Sequence, residues 1–177
     1  MKANIPKEVD DTARLFLASL SSIRQEQINT VPFPGSWTAG QIAEHILLSA
    51  SGVLEVIHGP VKPTERDPSQ HAELIQKMFL DFSTKMVSPD FVRPSDTPKD
   101  KAVLLQSLQK TMSGIRSVAA TQDLTATCMG FEFPGLGDLT RSEWIAFILA
   151  HTLRHTHQLN KIAEKLQPHA NSRPVGS

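Results

Sequence analysis

The chain has 177 residues, of which 40% are apolar and 20% charged, so it is long and apolar enough for one domain with a real core, and a largely disordered protein is excluded. Eighteen basic residues balance eighteen acidic ones, and without a basic patch we expect no nucleic-acid binding. No apolar run reaches the roughly 18 to 20 residues of a membrane helix, so we expect no membrane contact. The N-terminus lacks the features of a signal peptide, so we expect a cytoplasmic protein.

Two long helices are predicted in the first third of the chain. An apolar face with helical periodicity runs through residues 6–28. Two prolines and a glycine then indicate a loop over 31–36. The second helix is predicted over 39–57, because Thr38 and Gln41 have the spacing of a capping box.

The middle of the chain predicts a short helix and a third long one. Asp67 can cap a short helix over residues 68–82, with proline at its first position. Loop residues follow, and the apolar periodicity returns over 98–120, where Asp100 lies in the first turn.

The last helix has the clearest start. Residues 121–138 are irregular, with a brief extended piece predicted over 129–133. Thr140 and Glu143 then form a second capping box, and the helix is predicted to run to about residue 166.

These elements predict an all-α fold, a four-helix bundle with one additional short helix. No set of strands long enough to form a sheet is expected. The bundle is predicted to be a single domain over 1–167, followed by a polar tail over 168–177.

Three histidines occupy positions that a bundle helix normally gives to apolar residues. His151 and His155 are four residues apart and therefore lie on one face of the last helix. His45 takes an inward position on the second helix. Three imidazoles from two facing helices could hold one metal ion and leave a coordination position open, as catalytic zinc sites do. The sequence therefore predicts a metal site at His45, His151 and His155.

The neighbours of these histidines are polar or very small. Gln41, Ser49, Gly52 and Gln158 are predicted to line a pocket, which a bundle interior would otherwise fill with apolar side chains. An alternative stays open, in which the three histidines form a neutral buried hydrogen-bond network with Gln158, Ser49 and Gln41.

The remaining ligand candidates are weaker. A zincin helix needs Glu after its first histidine, where this chain has Thr152. The lone Cys128 excludes an internal disulfide and a cysteine-rich zinc site. Four further histidines are interpreted as solvated surface residues: His58, His71, His157 and His169.

Two longer motifs contain the three histidines. One, on the second helix, is Trp37-Thr-Ala-Gly-Gln-Ile-Ala-Glu-His45. The other comprises Phe133-Pro-Gly-Leu-Gly-Asp-Leu-Thr-Arg-Ser-Glu-Trp144 and the following His151-x-x-Arg-His155-x-x-Gln158. Together they span most of the chain, and they resemble the second-helix and fourth-helix motifs of the DinB-like superfamily. The resemblance implies an up-down-down-up four-helix bundle, often a homodimer, with a divalent metal on the three matching histidines. Zinc or nickel is expected there, with iron as a further choice.

The resemblance also implies a function. Characterised members of the family include S-transferases that use bacillithiol, mycothiol or glutathione. We therefore expect a metal-dependent enzyme that activates a small-molecule thiol against an electrophilic substrate, with a non-catalytic metal- or ligand-binding bundle as the alternative. The sequence assigns no catalytic base. Arg154 either holds a carboxylate of the thiol or forms a surface ion pair, and the surface role is the favoured interpretation.

Overall fold

Most of residues 3–167, which the computed structural model describes, are helical. The long helices are α1 (Ile5–Ser21), α2 (Ala39–His58), α4 (Lys101–Thr121) and α5 (Arg141–Leu166), and the short helix is α3 (Ala72–Leu80). α1 and α2 each pack against both α4 and α5, and α3 packs on α5. The prediction of a mainly helical fold with one short helix is confirmed for this part of the chain. The predicted tail, 168–177, lies outside it.

A small antiparallel sheet corrects the all-α expectation. Its strands are β1 (Val61–Lys62), β2 (Thr127–Phe133) and β3 (Gly137–Thr140), with β2 in the centre. The turn between β2 and β3 uses Gly135 and Gly137, whose φ angles of 80° and 73° favour glycine. The partner strands of β2 are too short for their sequences to show an alternating pattern, and for this reason the sheet was not predicted.

Both predicted capping boxes are confirmed. Thr38 Oγ1 accepts from the backbone N–H of Gln41, and Gln41 Oε1 accepts from that of Thr38, at 3.1 and 3.0 Å. Thr140 and Glu143 make the same exchange at 3.2 and 3.0 Å. These side chains satisfy backbone donors that the first turn of a helix leaves free. The starting points of α2 and α5, the helices that carry the three histidines, are therefore fixed.

The predicted end of α1 at residue 28 is wrong. The helix ends at Ser21. The ammonium group of Lys101 donates to the backbone carbonyls of Ile23 and Ser21 at 2.9 and 3.3 Å. A side chain distant in sequence thus satisfies carbonyls that a longer helix would pair with its own backbone N–H groups.

The predicted start of α4 at residue 98 is also too early. The helix begins at Lys101, and Asp100 is its N-cap.

The predicted range of α3, 68–82, is too long at both ends. Asp67 does not cap a helix there, because its Oδ1 accepts from the backbone and hydroxyl of Ser69 in a local turn. The backbone N–H of His71 donates to Glu143 instead, at 2.9 Å. The helix therefore begins only at Ala72.

Buried apolar side chains form two clusters toward opposite ends of the long helices. The first includes Val53 of α2 and Leu149 of α5. The second includes Ile42 of α2 and Leu159 of α5. His151 and His155 lie where α5 passes from the first cluster to the second, and His45 lies on α2 beside residues of the second cluster. Within residues 3–167, no helix combines the length and apolarity needed to cross a membrane.

Candidate metal centre

Three buried histidines meet where α2 faces α5. Nε2 of His151 lies 3.0 Å from Nε2 of His45 and 3.1 Å from Nε2 of His155. The three side chains can each offer one nitrogen, and these nitrogens all lie within 4.8 Å of one another. All three residues are buried, with His45 only 1% exposed. The structure therefore brings together the three residues that the sequence proposed as ligands.

Hydrogen bonds on the outer side of two rings fix their tautomers. Nδ1 of His45 lies 2.7 Å from the carbonyl oxygen of Val92, and Nδ1 of His155 lies 2.7 Å from Oε1 of Gln158. These oxygens can only accept, so each Nδ1 carries the hydrogen. In the neutral rings, Nε2 of His45 and Nε2 of His155 therefore carry no hydrogen, and each directs its lone pair at His151.

The alternative of a neutral buried network does not match this geometry. A single hydrogen on Nε2 of His151 can satisfy only one of the two lone pairs beside it. The hydroxyl of Ser49 donates to the backbone carbonyl of His45 within α2, and not to a ring. The amide of Gln41 is used in the capping box and contacts Ser95 at 3.3 Å. Of the three predicted network partners, Gln158 is the one in contact with a histidine ring.

A cation at the meeting point would satisfy all three nitrogens. In a tetrahedral zinc site, bonds of 2.0–2.1 Å place two nitrogen ligands about 3.3 Å apart, close to the 3.0 and 3.1 Å separations found here. An outer N–H donated to a carbonyl oxygen is also the usual environment of a histidine ligand. The donor set therefore fits a divalent ion that accepts imidazole nitrogen, such as zinc, nickel or iron.

The electrostatic environment keeps these imidazoles neutral. Burial lowers the pKa of His45, although its hydrogen bond with Val92 acts in the opposite direction. Burial also lowers the pKa of His155 to about 3 and that of His151 well below its usual value. At neutral pH each ring therefore lacks the second proton, which would otherwise compete with a metal ion for the free ring nitrogen.

Aromatic rings surround the histidines. The ring of Phe147 stacks on His151 at 5.3 Å between centroids, and that of Phe79 meets it edge-on at 5.4 Å. Nδ1 of His151 has no hydrogen-bond partner within residues 3–167. Trp37 lies 5.0 Å from His45. These contacts help to bury the rings of His45 and His151.

The candidate metal centre opens into a cavity of about 1780 Å³. All three histidines line it, and so do Ser49, Gly52 and Gln158, as the sequence proposed. Gln41, the fourth proposed lining residue, is not among the residues that define the cavity, because the capping box directs its side chain elsewhere. Trp37 and Trp144 also line the cavity.

The favoured surface role for Arg154 is wrong. Its side chain is buried and donates to the backbone carbonyls of Phe79, Asp81 and Thr84. The guanidinium group thus attaches the segment that follows α3 to the middle of α5, beside the histidines. Periodicity alone places residue 154 on the same side as residues 151 and 155, but the covering segment could not be foreseen.

Other side chains fall outside the centre. His157 is half-buried rather than solvated, because its ring stacks on Phe82 at 4.3 Å. His58 is exposed and His71 half-buried, while His169 lies outside the described residues. Cys128 is fully buried, and burial raises the pKa of its thiol to about 11, so it is no nucleophile.

Two contacts at the centre were not expected from the sequence. The carbonyl of Val92 belongs to a short 3-10 turn over Asp90–Val92, and no sequence signal marks a backbone acceptor. Phe147 could have been found, since it lies four residues before His151 and thus on the same helix face.

Comparison with known proteins identifies a family whose match includes the three histidines. The family model of the DinB superfamily matches residues 8–159, a range that contains all three histidines. A similar relative is the uncharacterized protein YuaE of Bacillus subtilis (strain 168), which is 23% identical over 160 residues, covering 84% of this chain and 90% of the relative. No solved structure matches with significance. Because the family model covers most of its length, the chain belongs to the DinB superfamily.

Proposed function

We propose that this protein is a metal-dependent transferase that moves a low-molecular-weight thiol onto an electrophilic small molecule. The observation that carries the proposal is the geometry of the three Nε2 atoms. They converge at 3.0 and 3.1 Å in a buried site, two of the rings are oriented by their outer N–H groups, and the site opens into a large cavity. A structural metal site would normally be closed by a fourth protein ligand.

The residues of the chain hold and orient the reactants. His45, His151 and His155 would hold the divalent ion, while Val92 and Gln158 keep two of the rings in the tautomer that offers Nε2. The pKa of a free thiol is about 8.5. When bound, such an ion supplies positive charge that lowers the pKa of a thiol in contact with it. The cavity volume of about 1780 Å³ exceeds the roughly 300–1,000 Å³ of ordinary ligand pockets, so two substrates have room together.

The proposed transfer forms one bond and breaks another. The thiol loses its proton to solvent, and its sulfur forms a bond to the electrophilic carbon of the substrate. A leaving group, such as chloride, departs with the electrons of the broken bond. An epoxide would instead open its carbon–oxygen bond, and the oxygen would take up a proton from water. The chain contributes positioning and exclusion of water to this step.

A non-catalytic metal- or ligand-binding module is the second candidate. Among the described residues that line the cavity, Glu55 is the single acidic side chain, and it is exposed. The site therefore offers no buried carboxylate as a general base. This alternative shares the metal site and expects no turnover, so a kinetic assay separates the two functions.

The first experiment is metal binding by calorimetry. Chelator-treated protein is titrated with Zn²⁺ and with Ni²⁺, and we expect one ion per chain. His151→Ala should abolish this binding because it removes the central ligand. His157→Ala is the matched control, since it removes a histidine of the same helix whose ring packs on Phe82. Absence of binding to the wild-type protein would refute the transferase and a metal-binding module.

The second experiment is turnover. Bacillithiol, mycothiol and glutathione are each combined with chlorinated and epoxide substrates, and product formation is followed by mass spectrometry. The transferase predicts a reaction that stops when a chelator is added and resumes when Zn²⁺ or Ni²⁺ is restored. Metal binding without any turnover would instead support the binding module.

We also propose that the helices of the bundle run in up-down-down-up order, that the protein forms a homodimer and that it is located in the cytoplasm.

A further inference from the structure

Almost all aromatic side chains of the chain are gathered around one cavity. The sequence contains eight Phe, two Trp and no Tyr. Nine of these ten side chains line the cavity that contains the histidines, and only Phe16 does not. Met78 and Met86 line it as well. Aromatic and methionine side chains offer large, polarizable contact surfaces for apolar ligands.

The aromatic rings form a continuous row from the mouth of the cavity to the histidines. Successive ring centroids are 5.8 Å apart from Phe91 to Phe131, 6.1 Å to Trp144, 5.9 Å to Phe147 and 5.3 Å to His151. Exposure falls from 68% at Phe91 and 41% at Phe131 to 4% at Trp144, and Phe147, next to His151, is half-buried. An apolar surface therefore leads directly from solvent to the candidate metal centre.

Charged groups are nearly absent from the interior of the cavity. Four of the charged side chains that line it are exposed: Glu55, Lys85, Arg93 and Lys161. The fifth, Arg154, is buried and already donates to three backbone carbonyls. A ligand that carried a charge into the interior would lose its hydration without gaining a free partner there.

We propose that the electrophilic substrate is a bulky, uncharged molecule with an aromatic ring, which binds along this row of aromatic side chains. The inference rests on the proposed function, because it names the substrate of that same site. A small molecule suits the surface better than a protein does, since a flat partner would cover Phe91 and Phe131 at the mouth without reaching Trp144 and Phe147. Exposed aromatic side chains at a cavity mouth are typical of ligand sites.

The test measures binding separately from catalysis. Chelator-treated protein is titrated with N-phenylnaphthylamine, a neutral aromatic probe, and the quenching of tryptophan fluorescence is followed. Both tryptophans of the chain line the cavity, so the signal reports on this site. Phe91→Ala and Phe131→Ala should each weaken probe binding about tenfold. Leu15→Ala, which alters a side chain of α1 that is 43% exposed, is the matched control and should leave binding unchanged.

A kinetic readout tests the substrate class. With metal and thiol present, the ratio of kcat/KM for chlorodinitrobenzene to that for chloroacetamide, a small polar electrophile, should favour the aromatic compound. Phe131→Ala should lower this ratio about tenfold. An unchanged ratio would overturn the inference.

The outcomes separate the inference from the proposed function. Probe binding that depends on Phe91 and Phe131, without any turnover, supports the apolar ligand site and refutes the transferase. Turnover of chloroacetamide with no probe binding supports the transferase and overturns the inference. Probe binding that is unaffected in both variants also overturns it. If those variants instead convert a dimer into a monomer in sedimentation velocity, with probe binding unchanged, the face serves a second copy of the chain.

Discussion

The side-chain oxygen of Gln158 accepts a hydrogen bond from Nδ1 of His155 over 2.7 Å, about one helical turn further along α5. The bond holds the imidazole in the orientation that directs Nε2 at His151. Gln158 is thus a positioning residue whose effect should be visible in metal affinity.

Gln158→Ala should weaken metal binding about 10- to 100-fold, the usual effect of removing an outer partner of a histidine ligand. Calorimetric titration with Zn²⁺ measures the change. Glu164→Ala, an exposed substitution on the same helix, is the control. Gln158→Glu retains an acceptor and should restore most of the affinity. Equal affinities for wild-type protein and Gln158→Ala would contradict the assigned role.

The ion pair between half-buried Arg66 and fully buried Glu143 should dominate the stability of this end of the fold. Glu143 is fully buried, and its carboxylate accepts from Arg66 at 2.7 and 2.8 Å and from the backbone N–H groups of His71 and Thr140. Glu143→Gln removes the charge from these bonds and should lower the free energy of unfolding by about 3 kcal/mol. Urea denaturation measures this change. Glu132→Gln, on an exposed side chain of β2, should have little effect.

The contribution of Glu143 should depend on pH in a defined direction. Burial alone would raise its pKa, but the hydrogen bonds from Arg66, His71 and Thr140 outweigh burial and hold the pKa below the usual 4.5. A carboxyl group with a lowered pKa stabilises the fold above its unfolded pKa and loses this effect as the pH falls. The stability difference between wild type and Glu143→Gln should therefore be constant at neutral pH and shrink below about pH 4.5. A difference that grows on acidification would contradict this.

Arg154 should control the order of the segment that follows α3. Because its guanidinium group donates to the carbonyls of Phe79, Asp81 and Thr84, Arg154→Met keeps the aliphatic stem but releases the segment. We expect faster tryptic cleavage after Lys85 and faster hydrogen exchange around it. Arg14→Met, an exposed substitution on α1, provides the control. Unchanged cleavage would show that the segment is held by other contacts.

Cys128 should be almost unreactive in the folded protein. Its thiol is fully buried and burial raises its pKa to about 11, so only about one molecule in a thousand is thiolate at pH 8. Labelling with an aromatic disulfide reagent should require unfolding, and Cys128→Ala should retain metal binding. Rapid labelling of the native protein would contradict the buried position. Loss of turnover in Cys128→Ala would show that the protein thiol takes part in the reaction.

The features that the sequence predicted correctly depend on short spacings. The capping boxes join residues three apart, and the relation between His151 and His155 is set by one turn of one helix. Such patterns are independent of the remaining chain. The choice of His45 depended in addition on the inward pattern of α2, and the structure places it against the other two histidines.

The errors arise where distant residues decide the local structure. Where α1 ends, Lys101 donates to the carbonyls of Ser21 and Ile23. Where α3 begins, Glu143 accepts from the backbone N–H of His71. Both partners are far away in sequence. The gathering of the aromatic rings was equally invisible, because the phenylalanines are scattered over several loops and elements and have no common period.

One residue, Thr140, belongs to two elements at once. It ends β3, where it pairs with Thr127, and it caps α5 through Glu143. A slip of one residue in this pairing would turn α5 about its axis by about 100°, given 3.6 residues per turn. His151 and His155 would then face away from α2. The direction of both imidazoles is therefore set by the alignment of a hairpin roughly three turns distant, so a change in that hairpin would separate the three histidines without altering any of them.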